Sequence, residues 1–466
     1  MKDLFNDKNF LKQALAITIP IALQNLISAS LNMIDTIMIG RLGEAEIAAV
    51  GLSNQIYFLL HLLLFGINSG AAIFTAQFWG KKDVKSIRNV LGIALTAGTL
   101  AAIFFSLIGL LVPDRILSLF TNDPVVIGLG TAYLRPVSIS YLFTALTFAY
   151  AFILRSTGQV TMPLIINFIA LSINTCFNYL LIYGNYGFPR MEVAGAAIAT
   201  VLARVLEFGI LIAIVYGKKM VPAGSFAELL DIKPDFVGKY FKTTIPVILN
   251  EFLWALGVTM FTVVYARMGT GIIAAVNIFA TVERISMVVF FGLAQAAAVM
   301  IGNRIGAGEE SEALTYAKRF CSLGPVLGLF IGTVLIISTD SLLSVYNVPA
   351  DVILIAKRII LIYALTLPFK IFNLINVVGV LRSGGDTRFS LLLDTVGLWL
   401  IAVPLAFISG LVWKLPPEQV YLLTAAEEIF KLGLGVNRLF TGKWINNLTH
   451  LAQTSDMVSS QNSRVI

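Results

Sequence analysis

Two carboxylic acids stand inside long apolar runs, and that placement alone suggests chemistry. Asp35 lies in residues 18–43, TIPIALQNLISASLNMIDTIMIGRLG, and Glu251 lies in residues 244–269, TIPVILNEFLWALGVTMFTVVYARMG. An ionised side chain in hydrocarbon costs about 2.5–3.5 kcal/mol on insertion scales, so both acids are expected to face a protein interior or a wet cavity. A carboxyl withdrawn from water can load and release a proton in a physiological range, or serve as one oxygen ligand of Na⁺. Two ligands that need one carboxylate exclude each other, and exclusion couples their binding. The plainer alternative for each is a structural hydrogen bond to a neighbouring helix. Glu283 and Arg284 are adjacent in another apolar run, and Lys370 and Asp394 fall in or beside two more. These four read equally as a substrate site or as ion pairs offsetting one another's burial. Arg204 and Glu207, three apart, read as a structural pair. Glu427, Glu428 and Lys431 are expected as an interfacial cluster, and His61 as a core residue.

Elements long enough to carry such residues follow from the apolar pattern. About 20 helical residues cross a bilayer core. Runs of that order occur near 14–38, 47–76, 89–112, 126–153, 160–183 and 193–216, then near 243–266, 272–302, 320–338, 354–380, 389–413 and 420–440. The expectation is an all-α polytopic membrane protein of twelve transmembrane helices, since alternating ten-residue segments of a membrane barrel are missing. Sliding 18–80 onto 244–306 without a gap gives 17 identities in 63 positions, and LRSTG at 154–158 meets LRSGG at 381–385 after one register shift. Each copy has an even number of spans, so the predicted halves are parallel repeats, two six-helix bundles related by a pseudo-two-fold along the membrane normal. That is the architecture of transporters that alternate access by rocking one bundle against the other. The expected domains are 1–216, a cytoplasmic linker at 217–242, a second bundle at 243–450, and a disordered polar tail at 451–466.

Composition agrees: 58% of the 466 residues are hydrophobic and 13% charged, with a mean hydropathy of +0.86, against roughly 25% charged residues in a soluble domain. The net charge of +7 is therefore read by membrane side rather than as a nucleic-acid footprint. Of the 33 Lys and Arg, 21 fall in segments on the N-terminal side of the predicted spans and eight on the other. Both termini are thus expected in the cytoplasm of a cell whose inner membrane holds the protein. No short apolar stretch with a small-residue cleavage site precedes the first run, so the first helix is expected to double as the insertion signal. Cys176 and Cys321 carry no metal-ligand spacing, and no HExxH, GxSxG or Walker motif occurs. The reading is a non-enzyme without cofactor, working as a monomer on a small molecule in the bilayer.

Several segments together resemble the bacterial type of multidrug and toxic compound extrusion (MATE) transporter over residues 10–450: MIDTIMIGRLG at 33–43, LRSTGQ at 154–159, NTCFNYLLIYG at 174–184, VAGAAIAT at 193–200, PVILNE at 246–251, LRSGGDT at 381–387, and EEIFKLGLG at 427–435 followed by GKW at 442–444. The resemblance implies export of bulky, often cationic compounds in exchange for protons or sodium, with a flippase of lipid-linked precursors in the same superfamily as the alternative. Asp35 matches the family's coupling acid on the first helix and would be the metal ligand if the ion is sodium. Its fifth-helix partners fall on Asn174 and Asn178, the latter where many members have Asp. Glu251 matches a seventh-helix acid, whose tenth-helix partner in the sodium-coupled branch is an Asp; Asn373 or Asn376 stands in that region here.

Overall fold

The computed structural model describes residues Asp7–His450, and among them every regular element is helical. With no water in the hydrocarbon to satisfy a bare backbone, helices are the form these runs can take. Ten are long and apolar enough to cross a membrane: α1 (Lys8–Gly40), α2 (Glu44–Gly80), α3 (Val84–Leu111), α5 (Thr161–Tyr183), α6 (Glu192–Gly217), α7 (Pro234–Met268), α8 (Thr270–Gly306), α9 (Glu310–Leu343), α10 (Ala350–Leu381) and α11 (Thr387–Val412). An eleventh, α4, is broken into Pro124–Ser138 and Ser140–Ser156, bent by 46°. Pro136 lies just before the break, where Ser138 and Ser140 hydroxyls donate to the Leu134 and Val137 carbonyls. The twelfth, α12, is Pro417–Thr424 followed by Ala426–Thr441. Its charges at 427, 428 and 431 keep it below the hydropathy of the others. All twelve predicted runs are thereby helices, with bounds shifted by a few residues, and the fold is the expected twelve-helix membrane protein.

Two compact units divide the chain. The first is Leu23–Thr244; the second takes the chain through Ala22 together with Ile245–His450. The unit boundaries fall inside α1 and α7, close after Pro20 and just before Pro246. The start of α1 therefore packs in the second unit, where Phe10, fully buried, lies edge-on to Tyr316 and Phe320 at 5.1 and 4.9 Å. The start of α7 packs in the first: Phe236 and Tyr240 sit on Phe74, and the Tyr240 hydroxyl donates to the Ile67 carbonyl at 2.9 Å. Residues 217–242, the expected linker, also belong to the first unit. There a short helix, Phe226–Leu230, begins on a capping box of Ser225 and Glu228. Arg88 Nη1 grips Glu228 through both carboxylate oxygens, at 2.9 and 3.0 Å. Gly92 permits this docking, because a Cβ there would stand 1.8 Å from the Leu229 carbonyl oxygen. The tail at 451–466 lies outside the described residues.

Asp7 fastens the start of α1. Its Oδ1 accepts from the Asn9 and Phe10 amides at 3.1 and 3.0 Å, and its Oδ2 from Arg319 at 2.6 Å. The Phe10 amide first, then the Arg319 guanidinium, hold this carboxyl below the ordinary carboxylate value. A group so depressed stabilises the native state above its ordinary pKa and loses that contribution as pH falls through the depressed value. Asp7→Asn is therefore expected to speed hydrogen exchange at the Asn9–Leu11 amides at neutral pH. Wild type should approach the variant's rate once the pH is well below about 4. Equal exchange in the two proteins at neutral pH would remove the anchoring role.

Three stretches of the second unit wind as π-helix: Ile375–Leu381 in α10, and Gly397–Ala402 and Ile408–Val412 in α11. Such wide turns shift the stripe of side chains that follows them and concentrate at functional sites. In α10 the π segment begins two residues after Asn373 and ends next to Arg382.

Candidate functional site

In the first unit a polar seam runs where α1, α5 and α6 meet. Asp35 accepts from Asn178 Nδ2 at 2.8 Å; that same Nδ2 lies 3.3 Å from Asn174 Oδ1, and Asn174 Nδ2 reaches Thr200 Oγ1 at 3.4 Å. Farther along the same three helices, the Ser28 hydroxyl donates to Asn167 Oδ1 at 3.0 Å, Asn167 Nδ2 donates to Glu207 at 3.3 Å, and Arg204 Nη1 donates to Glu207 at 2.6 Å. The spacing explains the seam. Positions 28 and 35, then 167, 174 and 178, then 200, 204 and 207 recur at three, four or seven residues, so each set lines one stripe of its helix. Near the far end of α1, the Tyr183 hydroxyl donates to the Met38 carbonyl at 2.8 Å and ties α5 to the turn that carries Asp35.

This seam brings together three of the predicted residues, Asp35, Asn174 and Asn178. The amides are buried, with Asn178 only 2% exposed. Asn178 donates through nitrogen, while its Oδ1 has no hydrogen-bond partner among the described residues. A buried amide oxygen left without a donor is unusual and calls for one. A protonated Asp35, an ordered water or a cation would each satisfy that oxygen. The predicted pairing of Arg204 with Glu207 is present, and Asn167, Thr200 and Ser28 extend it. Sequence reasoning missed those three; their i, i+7 relation to Asn174, Glu207 and Asp35 was the available signal. His61 lies between Tyr57 and Phe148, at 5.9 and 5.2 Å.

The second unit holds a wider charge network. Glu251 does not stand with an asparagine partner: Arg382 Nη1 donates to it at 2.7 Å, the two side chains being 16% and 4% exposed. Asn250 Nδ2 donates to Asp394 at 2.9 Å; Lys431 lies 3.5 Å from Asp394 and 3.7 Å from Glu427. Asn373 Nδ2 bonds both the carbonyl and the carboxylate of Glu428, at 2.8 and 2.7 Å. Lys370 is ion-paired with Glu283. Asn376 is fully buried, with neither its Oδ1 nor its Nδ2 hydrogen-bonded among the described residues. It nests over Gly435, where a Cβ would come within 2.5 Å of Nδ2.

Several expectations change here. Glu427, Glu428 and Lys431 form no interfacial cluster; Glu428 is buried on Asn373 and Lys431 is 12% exposed between two acids. Arg382, which the sequence reading did not single out as a site residue, is 3% exposed and paired with Glu251. Arg284, adjacent to Glu283, is exposed and stands outside the network. For the buried groups the physical reason is the same: charges inside a bundle are tolerated by pairing, Arg382 of α10 with Glu251 of α7 and Lys431 of α12 with Asp394 of α11.

Comparison with known proteins follows the same division of the chain. Residues 20–180 and 246–408 match the family model MatE. The probable multidrug resistance protein NorM of Thermotoga maritima is 24% identical over 438 residues, 93% of each chain. That of Bacillus cereus is 25% identical over 469 residues, the full length of both. Among solved structures, the Vibrio cholerae MATE transporter VcmN in the bent form superposes with a TM-score of 0.84 at 18% identity, covering 94% of this chain and 99% of that one. A MOP superfamily transporter from Pyrococcus furiosus superposes at 0.83 and 17% identity, covering 93% and 96%.

Proposed function

This chain belongs to the MatE family, multi-pass membrane transporters, and on that premise we propose that it is a secondary antiporter: it exports bulky, often cationic organic compounds in exchange for protons or sodium by alternating access. The observation that carries the reading is Asp35 held by Asn178 with the amide's Oδ1 left over. In one state the carboxylate is ionised and takes the Asn178 N–H. When a proton arrives, Asp35 becomes a donor, and a rotated amide offers it the oxygen that now lacks a partner. If sodium is the ion, Asp35 and the Asn178 carbonyl are its first ligands, with Thr200 and Asn174 alongside. A cationic cargo competes for the same carboxylate, so ion and cargo leave and enter in alternation.

Coupling is assigned to the first unit because Glu251 is already neutralised by Arg382. Multidrug cargo is supported by the names of the NorM relatives, and the 21-to-eight charge bias supports a cytoplasmic-membrane location with both termini inside. A flippase for an anionic lipid-linked cargo is less favoured, since the buried network of the second unit has five carboxylates against three cations, Arg382, Lys370 and Lys431.

The test is efflux of ethidium from proteoliposomes under an imposed pH gradient, an imposed sodium gradient, or neither. Transport that needs one of the two gradients is the expected result. Equal transport without either, or none under both, rejects the antiporter.

A further inference from the structure

The second unit contains a carboxylate backed by aromatic rings, and the chain's own ammonium fills it. Glu283 on α8 binds the Lys370 ammonium of α10, which also lies 5.4 Å from the Tyr363 ring centroid, over its face. The Tyr363 ring is fixed from both ends. Its hydroxyl is 2.7 Å from the Ser286 hydroxyl, and Phe279 stands edge-on to it at 5.3 Å. Phe279 is also edge-on to Tyr421 at 5.1 Å, and Tyr421 lies within electrostatic reach of both Lys370 and Glu283.

An acid plus the faces of fixed aromatic rings is the chemistry that recognises organic cations, because the ring quadrupole attracts a poorly hydrated charge that the carboxylate neutralises. Lysine's ammonium is small and strongly hydrated, and a buried ion pair alone adds little stability. Neither partner is sealed in: the side chains of Lys370 and Glu283 remain 30% and 27% exposed. Lys370 also sits on a loosened part of α10, between Pro368, which removes a backbone hydrogen bond, and the π turn that begins at Ile375. A tether of this kind can leave its site at modest cost.

We propose that Glu283, Tyr363 and Tyr421 form a subsite for organic cations within the second unit, that Lys370 occupies it as a tethered surrogate, and that cargo enters by displacing Lys370. The proposal rests on the reading of the protein as an exporter of cationic compounds and adds a second place where such a compound is held, distant in sequence from Asp35. It makes Lys370 a selectivity element: only a ligand that outcompetes an ammonium already in place is admitted.

The experiment is ethidium binding to the purified full-length protein in nanodiscs, read by fluorescence titration. K370Q is expected to tighten the Kd about tenfold or more, the size of effect that corresponds to 1.4 kcal/mol. K370R, which keeps a tethered charge, should stay at the wild-type value, and K370Q/E283Q should lose the gain. Binding needs no ion gradient, so this result is independent of whether wild-type vesicles show gradient-driven efflux. A K370Q protein that binds no tighter, or a double variant as tight as K370Q, overturns the proposal. A second measurement uses wild type alone: saturating ethidium should raise amine-reactive labelling of Lys370 several-fold by peptide mass spectrometry. Unchanged or reduced labelling overturns displacement.

Discussion

Asp35→Asn is expected to abolish gradient-driven efflux, lowering the initial rate in proteoliposomes by roughly a hundredfold, the upper end of ligand-coupling energies. The substitution keeps size and hydrogen bonding to Asn178 but removes the charge that proton, sodium or cationic cargo must share. A carboxylate whose only function were to accept the Asn178 N–H would be replaced by an amide oxygen at a cost of about 1 kcal/mol in stability, with transport intact. The two readings therefore separate on transport rather than on folding. Size-exclusion and thermal unfolding of the variant should match wild type while efflux is lost. Efflux at the wild-type rate would move the coupling acid elsewhere.

Arg382→Gln is expected to be the most destabilising single change at a charged position, by about 3 kcal/mol or more, because it strands Glu251 as a buried uncompensated acid. Arg382→Gln with Glu251→Gln should recover most of that loss, since replacing both members of a buried pair is often nearly neutral. Thermal unfolding in a fixed detergent measures both. Transport by the double variant then shows which unit couples. With coupling in the first unit, it should still move ethidium against a gradient at a rate within a few-fold of wild type. If the double variant folds but has lost gradient dependence, Glu251 is the coupling acid after all.

The length and apolarity of each run made the helices legible from residue order alone, whereas Asn174 and Asn178 were set beside Asp35 by the family resemblance of the NTCFNYLLIYG segment, a neighbourhood their hydrogen bonds match. What stayed hidden depends on rotation about helix axes and on winding. Glu251 and Arg382 are 131 residues apart, and the π turns of α10 reset which of its side chains face inward, so counting about 3.6 residues per turn from Lys370 could not forecast Arg382's direction. The bend in α4 had a signal in Pro136 that the apolar run concealed, whereas the break in α12 lies within a single mixed run. Gly435 shows the limit from the other side: a glycine in a mixed helix suggests flexibility, whereas here it makes room for Asn376.

The reciprocal placement of the two leading helix ends bears on how the protein is made. Phe10 leaves the ribosome well before Tyr316 and Phe320, which enclose it and are synthesised roughly 300 residues later, a wait of about 15–60 s at ordinary elongation rates. Through that interval the first turns of α1 lack these two partners. The opposite holds for Phe236 and Tyr240, whose receiving surface on Phe74 is already in place when they emerge. Biogenesis thus closes the first unit early and completes the second only when the start of α1 is gathered in. That order gives quality control a single late event to inspect.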